Sequence, residues 1–236
     1  MGDGGESKLV GMKFTVRSWA LLALSLGVLA ACVPQSNPNN QPDVTLSASQ
    51  TYLPSQTGVQ WTYLPQDAAP NDPPYRLTVL GPAPFGDQIA VKYRFAGRGV
   101  QKDYYRQITT AGVRLLGYED TVSTAVTRFN PPMLEYPPQA QIVAGARWGG
   151  TTAVESTIYP PNARPQVIYK ETIEYNYRIL GKEKVRVRAG EFEVFRVQFE
   201  AKGSGGAADS REVWFVPGIG EIRTKEGFVL AARNFG

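Results

Sequence analysis

Beyond Tyr52 the chain alternates hydrophobic and polar residues with a period of two, the period of half-buried β-strands. In Gln88–Phe95, Ile89, Val91, Tyr93 and Phe95 share one face and Lys92 and Arg94 the other, which predicts a strand with one wet side. Val167–Leu180 repeats the pattern at twice the usual strand length: Val167, Tyr169, Ile173, Tyr175, Tyr177 and Ile179 on one parity, Lys170, Thr172, Glu174, Asn176 and Arg178 on the other. A helix would scatter these residues around its circumference. So long a strand implies strong twist and curvature. Gly181–Lys182 predicts a turn, Glu183–Arg188 a return strand, and Ala189–Gly190 the next break. In Phe192–Phe199 the apolar parity slips, as at a bulge or in a strand covered on both faces.

Further strands are predicted at Val59–Leu64, Tyr75–Leu80, Val100–Ile108, Ala146–Ile158, Arg211–Val216, Glu221–Lys225 and Phe228–Phe235. The proline-rich stretch from Asn130 to Pro138 is expected to be a loop at the surface or at a barrel end, because proline cannot donate to a central ladder. No segment after residue 31 sustains a helical stripe, so parallel α/β folds are not expected. The expected fold class is all-β and mainly antiparallel: a single strongly curved sheet or partial β-barrel over residues 51–236.

The N-terminal region follows another pattern. Lys13 and Arg17 precede an uncharged Leu- and Ala-rich run from Trp19 to Ala31, the layout of a secretory signal. The run is shorter than the roughly 20 residues that span a bilayer comfortably. Residues 1–11 carry Asp3 and Glu6, unlike such a leader, which makes Met12 an alternative start to Met1. Leu29-Ala30-Ala31-Cys32 closes the run and resembles the lipobox of bacterial lipoproteins: an aliphatic residue, two small ones, then the lipidated cysteine. The resemblance implies that residues 1–31 are removed and that Cys32 carries the acyl chains, palmitate among them, that hold the protein on a membrane. Residues 32–50, polar and proline-rich, read as a flexible linker. With Val33 in place of a retaining aspartate, the resemblance implies the periplasmic face of an outer membrane, or the outer face of the cytoplasmic membrane in a single-membrane cell.

Tyr52-Leu53-Pro54, Gly58 with Trp61 and Tyr63, Gly145 with Trp148, Arg188-Ala189-Gly190-Glu191-Phe192 and the run from Trp214 to Ile222 add to this. Together they resemble a broad set of bacterial envelope lipoproteins built on a curved antiparallel sheet. That set implies fold and address and carries no common catalytic residues.

Composition narrows the chemistry. Among 236 residues there is no histidine and one cysteine, which excludes imidazole catalysis, imidazole metal sites, an internal disulfide and thiolate clusters. No cofactor and no metal site is expected. The 24 Gly and 18 Pro fit a turn-rich chain. The formal net charge of +4 is too evenly spread to mark nucleic acid as a partner. Tyr104-Tyr105 beside Lys102 and Arg106 is the nearest thing to a stacking platform for single strands, and aromatic burial is the commoner fate of such residues.

The leading expectation is a non-enzymatic lipid-anchored envelope protein that binds an apolar ligand or another envelope component on the concave face of its sheet. The candidate contacts are Trp61, Trp148, Tyr169, Glu171, Tyr175 and Tyr177. Glu171 lies on the apolar parity, where burial would raise its pKa unless a cation pairs with it. A solvated strand end or an ion pair is the plainer account. An alternative function is a hydrolase pairing Glu171 with Glu191 or Glu193, although two solvated carboxylates after a turn explain the latter as well. A purely structural or protein-interaction role is a further alternative. Lys182, Lys184, Arg186 and Arg188 form a basic stripe, suited to anionic headgroups or simply to a solvated strand face.

Overall fold

In the computed structural model of the chain, residues 52–69 and 71–236 are described; the signal, Cys32 and the linker at 32–50 lie outside them. The described residues form twelve strands: β1 Gln60–Pro65, β2 Tyr75–Phe85, β3 Gln88–Gly97, β4 Val100–Thr109, β5 Gly112–Asp120, β6 Ala125–Tyr136, β7 Arg147–Ile158, β8 Gln166–Val187, β9 Gly190–Gly203, β10 Ala208–Val216, β11 Gly220–Arg223 and β12 Phe228–Arg233. Each pairs antiparallel with its neighbours in sequence, and β1 pairs with β12, so the sheet closes into a barrel. The expectation of an antiparallel all-β fold with strong curvature holds, and the curvature goes as far as full closure. Closure pairs β1 with β12, so the sheet has no terminal edge strand.

Because the strands alternate in direction, six hairpin turns lie at one end of the barrel, called upper here: those after β1, β3, β5, β7, β9 and β11. The described chain enters at the lower end. There Gly218 N–H donates to Tyr52 O at 2.6 Å, and the Tyr52 hydroxyl donates to Tyr136 O at 3.2 Å and to Pro137 O. Tyr93 donates to Pro54 O at 2.9 Å, and Tyr52 and Leu53 are buried in the core. The segment Tyr52–Pro54 thus plugs the lower interior beside Trp61, Phe215 and Tyr136.

Two expectations about local structure are corrected. There is no turn at Gly181–Lys182: β8 runs unbroken to Val187, and the register with β9 shifts between Ile179 and Gly181. The glycine supplies a bulge inside one long strand, and the turn falls at Arg188–Ala189, one residue before the expected Ala189–Gly190. The Asn130–Pro138 stretch is not wholly a loop either, since β6 continues to Tyr136. Pro131 and Pro132 are tolerated because the ladder has a gap there: β7 pairing ends at Asn130 with Ala153, and β5 pairing jumps from Gly117–Arg128 to Leu115–Met133. Gly117 sits at this jump, and a Cβ there would lie 2.1 Å from Thr127 O and 2.6 Å from the Phe85 ring.

The tip of the β8–β9 hairpin folds back on the rest of the barrel. Val185, Val187, Phe192 and Val194 join or pack on the main core, Ala189 N–H donates to Leu230 O at 3.4 Å, and Arg188 donates to Ala68 O at 2.7 Å. The slip in apolar parity along β9 reflects this change of partner. On the outer wall of β8, Lys170, Glu174 and Arg178 are exposed, while Tyr175, Tyr177 and Ile179 are buried inside. That is the reverse of the apolar-out, polar-in pattern of a lipid-embedded barrel. Among the described residues no helix is long and apolar enough to cross a membrane.

Candidate functional site

The upper end of the barrel opens into a cavity of about 440 Å³. Its wall comes from the upper halves of strands on all sides: Tyr75 and Leu77 of β2, Phe95 of β3, Tyr104 of β4, Tyr118 of β5, Phe129 and Met133 of β6, Phe199 of β9 and Phe228 of β12. The wall is mutually stacked. Tyr75 lies 4.4 Å from Phe228 and 5.1 Å from Phe95, centroid to centroid, with near-parallel rings. Such a volume is ordinary for a small-molecule site, and a β-barrel mouth is a usual place for one.

The floor is charged. Arg106 of β4 donates to Glu135 of β6 through Nε at 2.6 Å and Nη2 at 3.3 Å, and both side chains are buried. The guanidinium also lies over the Tyr93 and Tyr104 rings, at 5.0 and 5.3 Å. Lys225, in the turn after β11, donates to the Tyr177 hydroxyl at 2.8 Å and stands 3.9 Å from Glu135. Tyr136 donates to the Glu221 carboxylate at 2.6 Å, and Tyr63 to the Glu221 backbone carbonyl at 2.8 Å.

These groups titrate differently for physical reasons. Burial alone would raise Glu135, but Arg106 and Lys225 outweigh it and hold the carboxyl below its usual range. Burial also dominates at Glu221, and neither the Tyr136 hydrogen bond nor the two cations fully offset it, so this carboxyl is raised. Burial works against the Lys225 ammonium, yet Tyr177 and Glu135 leave its pKa above the ordinary value. Tyr177 is pushed by burial to about 12 despite Lys225 beside it. The floor therefore keeps two cations and one firm carboxylate, with Glu221 the group readiest to take a proton.

The six residues expected to contact a ligand are not among those lining this cavity. Tyr175 and Tyr177 face inward, as their parity predicts, and Trp61 and Trp148 also pack on the core; all four serve as packing and support. Trp61 donates to Ile219 O at 2.7 Å, the Tyr175 hydroxyl accepts from Leu134 N–H at 2.9 Å, and Trp148 donates to Glu135 O at 3.2 Å. Tyr177 reaches the floor through Lys225. Tyr169 and Glu171 lie towards the upper end of β8, where Tyr169 is exposed. Glu171 accepts a hydrogen bond from Tyr169 and one from Gly205 N–H at 2.7 Å, so it clamps the β9–β10 turn. Its pKa is lowered, chiefly by the Tyr169 hydrogen bond, which corrects the expected rise from burial.

Glu191 and Glu193 are not brought to Glu171. They pair across the sheet with Arg186 and Lys184 at the far end of β8, more than a dozen residues along the strand from Glu171. Their carboxylates are exposed and bound to Arg186 and Lys182, which neutralises much of the basic stripe. Tyr104 and Tyr105 point to opposite faces and form no joint platform: Tyr104 lines the cavity, and Tyr105 stacks on Phe85 outside at 4.4 Å.

Arg106, Glu135, Glu221 and Lys225 went unremarked as a site in the sequence. Arg106 carried a usable signal, since it shares the parity of Lys102 and Tyr104 along β4, a charge on the inward face. Glu135 was hidden by the prolines before and after it. Among the described residues no group of three acidic or cysteine side chains is arranged to hold a metal ion. No known protein family, curated protein or solved structure matches the chain.

Proposed function

We propose that the protein is a lipid-anchored component of a bacterial cell envelope, tethered through Cys32, whose barrel holds a small amphipathic ligand in its upper mouth. The observation that carries the ligand reading is the open cavity of about 440 Å³, with an aromatic wall above a charged floor. The lipobox-like Leu29-Ala30-Ala31-Cys32 supports the anchor, and the wet outer wall of β8 fits a barrel that stands in water beside a membrane rather than within it. A structural or protein-interaction role is the second reading. It is favoured by the exposed Tyr159, Val167 and Ile168 near the β7–β8 tip, with Val122 in the β5–β6 turn.

Two measurements test the proposal. Metabolic labelling with a clickable fatty acid should mark the wild-type protein and spare Cys32→Ala; equal labelling of both refutes the anchor. Native mass spectrometry of protein taken from its own envelope should show an added small-molecule mass that Leu77→Trp, which fills the cavity, removes. A wild-type mass without any adduct under conditions that preserve the fold counts against the ligand.

A further inference from the structure

We propose that the upper cavity selects a single-chain amphiphile with an acidic head group, a carboxylate or a phosphate monoester. Its head would sit on Lys225 and Arg106, and its chain would run along Leu77, Phe95, Phe129 and Phe228. This rests on the reading of the barrel as a ligand holder and deepens it.

The floor leaves hydrogen-bond donors unspent. The Lys225 ammonium has three donors, yet its one acceptor at hydrogen-bonding distance among the described residues is the Tyr177 hydroxyl at 2.8 Å; the 3.9 Å to Glu135 is too long for a direct bond. Lys225 lines the cavity, so its remaining donors are available to an occupant. Arg106 spends Nε and Nη2 on Glu135. Beside Lys225, the Thr224 hydroxyl accepts from Phe228 N–H at 3.3 Å and keeps its own proton to donate.

Charge points the same way. The two cations of the floor face one firmly ionised carboxylate, Glu135. Glu221, on Tyr136, has no cation within ion-pair distance among the described residues. An acidic head brings a negative charge within reach of the Lys225 donors that Glu135, at 3.9 Å, does not take up. A cationic head would be repelled by both cations, and a neutral one would offer the Lys225 donors no charge-assisted acceptor. At the mouth, Lys102 and Glu226 also line the cavity, and their opposite charges offset one another. Selection therefore belongs to the floor.

The test titrates the purified protein by calorimetry with dodecanoate, dodecyl phosphate, dodecanol and dodecyltrimethylammonium, each below its micelle concentration. The expected result is that at least one anion binds ten times or more tighter than dodecanol, with the cation weakest; the tighter anion identifies the head group. Lys225→Met should lower anion affinity about tenfold and leave dodecanol unchanged, and Lys225→Arg should retain the preference. Dodecanol binding as tightly as both anions overturns the head-group assignment while the ligand-holder reading stands. Absence of binding by all four, together with no Leu77→Trp-sensitive adduct in native mass spectra, overturns both. The comparison of four ligands on the wild-type protein is decisive even if Lys225→Met fails to fold.

Discussion

The Trp148 indole lies flat on the Tyr177 ring, with centroids 5.1 Å apart and planes 7° from parallel. Through that contact the β7 strand fixes the phenol whose oxygen accepts from Lys225. Trp148 also donates to Glu135 O, so one side chain braces both sides of the charged floor. Truncating it removes packing and a support at once. Trp148→Ala should cost about 3–5 kcal/mol in urea unfolding. Tyr177→Phe, which keeps the ring and deletes the acceptor, should cost about 1–2 kcal/mol. Equal losses for the two would show that the stack contributes nothing beyond the hydroxyl.

Arg106 and Glu135 form a buried pair, and removing one partner strands the other. Glu135→Gln should destabilise by about 3–5 kcal/mol, whereas the double change Arg106→Met with Glu135→Leu should recover most of that loss. Thermal and chemical unfolding of the single and double variants measures the coupling. A double variant as unstable as Glu135→Gln alone would mean that the site needs the charges for its shape.

Glu221 gives stability a pH dependence of definite sign. Its folded pKa is raised above the ordinary 4.5, so the folded state binds this proton more tightly than the unfolded chain. The contribution is fully present below about 4.5 and is lost as pH rises through the folded value. Glu135, lowered in the folded state, acts oppositely and loses its contribution as pH falls below its ordinary value. Glu221→Gln mimics the protonated form. It should therefore match the wild type in stability near pH 4, within about 0.5 kcal/mol, and gain on it as pH rises towards neutrality. Denaturant midpoints at several pH values follow the difference; a constant difference would exclude a raised Glu221.

Glu171 was the most prominent candidate in the sequence, and its observed bonds assign it to the β9–β10 turn. Glu171→Gln should leave ligand affinity within about twofold and global stability little changed, while hydrogen exchange at Gly205 accelerates. A large loss of binding with Gly205 still protected would return Glu171 to the site.

How far the fold could be read from sequence depended on how local its causes are. The alternation in β3, β7 and β8 identified strands and their inward residues, because successive side chains of a strand leave on opposite faces whatever the partner. Tyr175 and Tyr177 follow from that rule and are buried. The same rule placed Tyr169 and Glu171 on the inward parity, but parity does not say how far along the strand the interior extends. The prolines of β6 misled for a related reason, since their tolerance depends on a gap in the ladders supplied by β5 and β7.

The charged floor shows the division most clearly. Sequence alone determined an antiparallel, strongly curved β-domain, and excluded imidazole and thiolate-cluster chemistry by composition. It could not bring together Arg106 and Glu135, 29 residues apart, or Tyr136 and Glu221, 85 apart. Those meetings follow from register, bulge positions and the closure of β1 on β12, which are set by packing over the whole barrel. Tertiary structure alone decided that the lower interior is plugged by Tyr52–Pro54 and that the upper one stays open above a layer of charge. Hydrophobic alternation fixes which side of a strand is buried; only closure fixes what each buried side chain then faces.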